Sequence, residues 1–549
     1  MLDKIVRICF ISFAILCVAY YSYLFFLYTL NIPFWDDFFA LDFVNKFVSA
    51  PDLLNKISLL LYQEVEHRLV FKKILYILSF WIFGEVNFKY LCYAGNIFLV
   101  GIVAILFIKF IKNNPNVLLF VPVIFIFFCG QLYAISFWTE ASIVYYSSNF
   151  FIIAALYFIV KKSVKFYILS IFLAVLAVIS YGNGFVVFIV GSLILCYQKR
   201  YKQLGIFAAV FIFVLLAYFF DYKTPESSKS IIEGFNLFNF IKTLLSFIGG
   251  VFPLYGLSII FGAIGLLFIF YLTYIKYYER NLFIYSIVIY LLITGAILAI
   301  NRPVGNIMRY KFYNSLFLAL FYMILIEICS KKYLKLVLYA SLFVFLGYMI
   351  FFNILLFFEI RKINENQLIT VTNFTNDKPS LWNSEYDNAY TIALEKGIYI
   401  PPVISKDNLF SKIEDVNLIK ETNNIDYKID TIGFENNILF VRGTAYVRLN
   451  RKKYNNNVYL VLISSKHDYV YKAKIEFRPS LLKTISDMTP MYSGFNIWIN
   501  TEGLPKDNYK LGLYLNQKYS NVLFQNVLSK IDNTALIENY SITDHVINL

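Results

Sequence analysis

Two adjacent carboxylates, Asp36 and Asp37, stand in the run Pro33-Phe34-Trp35-Asp36-Asp37-Phe38, directly after the first long apolar segment and among large aromatic side chains. A carboxylate pressed against aromatic rings loses water, and its pKa rises because burial disfavours the charged form. Such a group suits a general base that must take a proton from a hydroxyl. The plainer reading is that one of the pair caps the next helix, a position Asp favours. Further on comes Glu64-Val65-Glu66-His67-Arg68, where helical spacing predicts Glu64, His67 and Arg68 on one face. Arg68 can grip a phosphate through its planar fork, with Glu64 or Glu66 orienting it and His67 donating a hydrogen bond; a surface ion-pair ladder uses the same residues. A third segment, Asn301-Arg302-Pro303-Val304-Gly305-Asn306-Ile307-Met308-Arg309-Tyr310-Lys311, carries three cations and a phenol. An anionic partner at the membrane face, such as the phosphate or pyrophosphate of a lipid, accounts for them, and so does attraction to anionic head groups. Trp138 and Glu140, in a short turn, are weaker candidates, since Trp at an interface is ordinarily an anchor.

The elements that must position these groups are set by the solvent. Of 549 residues 59% are hydrophobic and 15% charged, and mean hydropathy is +0.63, too apolar for a soluble chain of this length. Apolar runs able to cross about 30 Å of hydrocarbon fall near 8–30, 88–108, 116–135, 145–160, 166–181, 184–197, 204–220, 254–275, 282–300, 315–329 and 334–358. The two runs flanking Gly182-Asn183-Gly184 are short and can equally form a re-entrant hairpin. Lys and Arg cluster at alternate connections: Lys4 and Arg7, Lys109 and Lys112, Lys161 to Lys165, Lys199 to Lys202, Lys276 and Arg280, and Lys331 to Lys335. The positive-inside rule then predicts a multi-pass protein of the cytoplasmic (inner) membrane, N-terminus inside and residues 359–549 outside. The first span lacks a small-residue cleavage site and reads as a retained anchor. Three longer connections, 31–87, 221–253 and 301–314, are expected on the outer side, with Ile74–Phe83 lying at the interface. The net charge of +14 belongs to this topology and not to nucleic acid, and six cysteines confined to the apolar half suggest no disulfide framework.

The polar tail divides again. Residues 361–402 hold a helix capped by Asn383 or Ser384 and ended by Gly397, before Pro401-Pro402. Residues 403–549 alternate apolar and polar side chains over Ile438–Val447, Val458–Ser464, Tyr469–Phe477, Gly494–Ile499 and Tyr509–Leu515, which predicts an antiparallel β-sandwich. Exposed aromatics such as Trp498 or Tyr492 can bind glycan, and the plainer expectation is that they pack in its core. The expected architecture is a mainly α transmembrane bundle (1–360), a helical linker and an all-β domain.

The chain resembles the polytopic glycosyltransferases of the C type (GT-C), and within them bacterial proteins of the cell-envelope polysaccharide class. Trp35-Asp36-Asp37 resembles the acidic motif opening the first outer loop, and Glu66-His67-Arg68 a recurrent element later in that loop. Ser180-Tyr181-Gly182-Asn183-Gly184 resembles a Gly-Asn-Gly turn, and Arg302 with Arg309-Tyr310 an Arg…Arg-Tyr element before a late span. Glu395-Lys396-Gly397-Ile398-Tyr399-Ile400-Pro401-Pro402 is similar to a linker after the last span. The resemblance covers residues 1–402. It implies an inverting transferase using a polyprenyl-phosphate-linked sugar and a glycan or lipid acceptor, with Asp36 or Asp37 as base. Glu66, His67, Arg68, Arg302, Arg309 and Tyr310 would serve the donor phosphate and substrate. No metal is expected; were one present, oxygen ligands such as Asp37 and Glu66 would hold it. No P-loop, dinucleotide motif, zinc spacing or nucleophile elbow occurs, which disfavours soluble nucleotide or NAD chemistry. Rival readings are a flippase for lipid-linked oligosaccharide, an O-antigen-type polymerase, and a receptor or scaffold whose sandwich binds glycan.

Overall fold

The computed structural model describes residues 2–224, 236–251, 255–301, 308–377, 384–402, 425–435, 438–447, 456–463, 468–476, 494–500, 508–517, 520–526, 542–543 and 546–548. Arg302 and Tyr492, singled out above, lie outside these residues.

The chain opens with α1 (Leu2–Tyr28), followed by α2 (Phe38–Ser49), α3 (Leu53–Leu61) and α4 (Val70–Phe83), and then the long α5 (Phe88–Asn113). Short helices α6 (Val121–Phe127), α7 (Tyr133–Ser136) and α8 (Thr139–Ala141) pass through a π-helical turn, Ser142–Tyr146, into α9 (Ser147–Ile159). There follow α10 (Val164–Ser180), α11 (Val186–Tyr197), α12 (Tyr201–Phe219), α13 (Leu237–Gly249), α14 (Tyr255–Tyr274), α15 (Tyr277–Arg280), α16 (Leu282–Asn301) and α17 (Lys311–Ile328). Then come α18 (Leu334–Asp377) and α19 (Ser384–Glu395).

Among the described residues, nine helical segments are long and apolar enough to cross a membrane, so the protein is a multi-pass membrane protein. Each coincides with one of the expected spans. The remaining two, Val164–Ser180 and Gly182–Tyr197, are separate shorter helices. Exposed apolar side chains on the bundle's outer helices, such as Ile15 and Leu16 on α1, Phe213 on α12 and Val344 on α18, suit a hydrocarbon surround. Inside, aromatic and aliphatic side chains from α5 to α18 form one continuous core.

Two expectations are corrected. Residues 221–253 are not simply a loop, because α13 lies within them, its first turn capped by the Asn236 side chain, which accepts from the amides of Phe238 and Asn239. Lys242, Thr243 and Ser246 break its hydropathy. The Glu64–Arg68 segment is not helical: Glu64 and His67 exchange backbone hydrogen bonds at 2.8 Å across a tight turn, with Val65 at φ +48°.

The chain divides into two compact units, Met1–Ile360 with Glu395–Ile400, and Arg361–Leu394 with Pro401–Leu549. Residues 395–400 are stitched to the first unit. Val86 N–H donates to the Ile398 carbonyl (2.7 Å), Ile400 N–H to Glu85 Oε2 (3.1 Å), Asn31 Nδ2 to the Ile400 carbonyl (3.1 Å), and Tyr399 OH to the Asn31 carbonyl (2.7 Å). Gly397, at φ +64°, makes the left-handed turn that lets α19 end and this segment begin.

The second unit contains two antiparallel sheets, as the alternation predicts. One has the order β1 (Ile425–Glu435), β2 (Ile438–Val447), β6 (Gly494–Asn500), β5 (Lys474–Glu476). The other runs β4 (Asp468–Lys472), β3 (Asn456–Ile463), β7 (Asn508–Gln517), β10 (Val546–Asn548), β9 (Ile542–Thr543), with β8 (Ser520–Asn526) on β7. The expected strand Tyr469–Phe477 is two strands, one in each sheet, parted at Ala473. Leu439, Val441, Phe495, Ile497 and Leu513 are among the residues filling the core between them.

Candidate functional site

The acidic motif is a single turn of 3-10 helix, Trp35–Asp37, entered through Trp35 at φ +51°. A left-handed backbone at a bulky residue costs about 1–3 kcal/mol and persists only where surroundings impose it. Here Asp37 helps impose it. Its Oδ2 accepts from Phe34 N–H (3.0 Å) and its Oδ1 from Glu140 N–H (2.9 Å), so one buried carboxylate ties the first loop to the turn before α9. Burial, and next the Glu140 carboxylate, push the Asp37 pKa well above its ordinary value. Asp36 is different. It is half-buried, and among the described residues its carboxylate makes no hydrogen bond or ion pair.

Behind this turn lies a charged wall that hydropathy alone hides. Lys72, buried on α4, reaches Glu64 Oε2 and Glu140 Oε1, both at 2.7 Å, and Lys73 lies 3.3 Å from Glu64 Oε1. Burial tends to lower the Lys72 pKa, but Glu140 and Glu64 outweigh it and hold the ammonium well above its usual range. Burial likewise tends to raise Glu64, and Lys72 and Lys73 overcome it and lower the carboxyl below 4.5. Lys73 also donates to the Tyr62 carbonyl at 2.7 Å, closing the C-terminal end of α3. The Tyr76 hydroxyl feels Glu140, Asp37, Glu64 and Asp36 together.

Arg309 arrives from the far end of the sequence. Its guanidinium lies 5.7 Å from the Trp35 ring centroid and 5.2 Å from that of Trp138, two rings themselves packed edge to face. Among the described residues it has no hydrogen bond or ion pair, so indole faces orient its fork without using its donors. Trp138 is 7% exposed and is no interfacial anchor; its Nε1 is buried without a partner among the described residues.

Next to Arg309, Tyr310 lines a cavity of about 450 Å³. Glu66 and His67 line it from the Glu64–His67 turn, and Tyr181, Gly182 and Asn183 from the junction of α10 and α11. The turn fits closely. His67 packs on Tyr181 with ring centroids 4.5 Å apart, and a Cβ at Gly182 would stand 2.9 Å from His67 Nδ1. Asn183 donates to Tyr290 OH (2.8 Å) and accepts from Thr294 Oγ1 (3.2 Å), while Tyr290 OH donates to Asn149 Oδ1 (2.9 Å), a polar chain binding the turn between α10 and α11 to α9 and α16. Ile189, Phe219 and Ile297, exposed apolar residues, line the cavity together with the polar Glu66, His67 and Asn183, so it is amphipathic.

The structure therefore brings Glu66, His67 and Tyr310 to one cavity and Arg309 to the Trp35 turn, while Asp36, Asp37 and Arg309 are not among the residues that line that cavity. Arg68 is placed elsewhere: its guanidinium donates to the carbonyls of Leu61 (2.5 Å) and Phe220, bracing the loop. Sequence reasoning missed Lys72, Lys73, Tyr181, Thr294 and Tyr313 as site residues. Two lysines inside an apolar run, with carboxylates just upstream, were the one available signal. Among the described residues no group of three or more His, Cys, Asp or Glu is arranged to hold a metal. No family model, curated protein or solved structure matches the chain.

Proposed function

We propose that the protein is an integral membrane glycosyltransferase that moves a sugar from a polyprenyl-phosphate carrier to a cell-envelope glycan or lipid-linked acceptor outside the cytoplasm. One observation carries the reading: segments more than 100 residues apart, Glu66-His67, Tyr181–Asn183 and Tyr310, meet in one cavity, with Arg309 on the Trp35 turn next to it. The basic clusters expected at the cytoplasmic face all sit at the opposite helix ends, which supports an extracytoplasmic site.

The amphipathic cavity suits a lipid with a polar head, and its volume lies within the ~300–1,000 Å³ of small-molecule sites. Asp36, half-buried and without a hydrogen bond among the described residues, is the base; Asp37, committed to two backbone amides, is the positioning residue. The acceptor hydroxyl gives its proton to Asp36 as its oxygen attacks the anomeric carbon. The bond from that carbon to the phosphate oxygen breaks, and the polyprenyl phosphate departs with the electron pair. Arg309, pre-oriented by two indoles, meets the charge growing on the leaving phosphate.

The test follows sugar incorporated covalently into envelope glycan by cells expressing each variant. Asp36→Asn should lower it about 10²–10⁴-fold, as loss of a general base does, and Arg309→Ala about 10²–10³-fold. Wild-type incorporation by Asp36→Asn would sink the assignment.

A further inference from the structure

The second unit carries a surface its core does not explain. On β6, Phe495, Ile497 and Ile499 point inward, whereas Trp498 is 51% exposed on the outer face. Register places Trp498 opposite Phe440 of β2, and Phe440 opposite Gly433 of β1. The Trp498 and Phe440 rings lie 4.2 Å apart at 39°, so Phe440 backs the exposed Trp498 ring, and Gly433 leaves the flank without a side chain. The neighbouring row on the same face is polar across four strands: Thr431, Arg442, Asn496 and Lys474. Successive residues on one face of a strand are about 6.6 Å apart, so the two rows are separated by roughly the width of a sugar ring.

We propose that this face of the sandwich is a saccharide-binding site. A pyranose stacks its apolar C–H face on the exposed Trp498 ring, which Phe440 backs, and its hydroxyls, or those of the next unit, reach the Thr431-Arg442-Asn496 row. A helix or strand of another protein pressing on the rings would strip water from the exposed Arg442, which is costly for a charged group; a glycan presents hydroxyls in place of that water. The site needs no catalysis and is independent of the reading offered for the membrane cavity. Its effect would be to hold a growing polymer near the protein.

The test uses the full chain in phosphatidylcholine nanodiscs, passed over a column of delipidated, water-soluble glycan released from the envelope of the cells that make the protein. Wild type should be retained and eluted by the same glycan in solution. Trp498→Ala and Phe440→Ala should cut retention at least tenfold, Trp498→Tyr should restore most of it, and Asp36→Asn should be retained like wild type. Failure of wild type to bind, or equal retention of Trp498→Ala, overturns the proposal. So does loss of binding to anionic phosphatidylglycerol vesicles in Trp498→Ala without loss of glycan retention, which would make the face a membrane contact.

Discussion

At the scale of residues, two neighbouring aspartates of identical type have opposite employment, and only their surroundings separate them. Asp37 accepts from two amides of distant segments, so Asp37→Asn, which turns one acceptor into a donor facing an N–H, should cost about 1–3 kcal/mol of stability. Asp36→Asn should leave the unfolding temperature unchanged. The Glu64–Lys72–Glu140 cluster invites a sharper test. Lys72→Met takes the ion-pair partner from buried Glu140 and leaves Glu64 with Lys73 alone, and should cost about 3–5 kcal/mol in thermal unfolding of the detergent-solubilised protein. Because the Glu64 pKa is lowered on folding, its contribution is present above 4.5 and is lost as pH falls through the lowered value. Wild type should therefore lose stability on acidification below about pH 4.5 more steeply than Glu64→Gln. Asp37 runs the other way: with its pKa raised, its contribution is present below 3.8 and fades as pH rises through the elevated value.

At the scale of elements, the Tyr181-Gly182-Asn183-Gly184 turn shows what a glycine pair between two short helices is for. Gly184 abuts the backbone of Ala177 so closely that a Cβ would overlap its carbonyl group, whereas at Gly182 the nearest atom is the mobile His67 ring. Gly184→Ala should fail to accumulate as folded protein. Gly182→Ala should fold but displace His67, and incorporation of sugar should fall while the unfolding temperature holds. Helices were legible in the sequence because a span needs a long apolar run whatever it packs against. The acidic motif and the Arg309-Tyr310 element were legible because charge beside a membrane is costly. Their meeting was not, since it rests on Trp138 packing edge to face on Trp35 and on Arg309 lying over both rings, contacts that leave no periodic trace. The Glu64–Arg68 turn was misread for a related reason: Val65 in a left-handed conformation contradicts its own β-branched preference, and only tertiary packing overrides it.

At the scale of the whole molecule, the bundle gathers the candidate site at one end, where α1, α10, α12 and α16 finish and α11 and α17 begin. Residues 395–400 return to that unit and meet Asn31, five residues before Asp36. A cut in the chain ahead of these residues therefore need not release them from the first unit. A protease site placed within 378–383 and cut in intact membranes should leave the 384–549 fragment co-purifying with the bundle after mild detergent extraction. Tyr399→Ala combined with Glu85→Ala should let it drift free. With the chain cut behind the last span, non-covalent bonds alone, those between Val86, Asn31 and Glu85 and residues 398–400 among them, would be left to hold that segment in place.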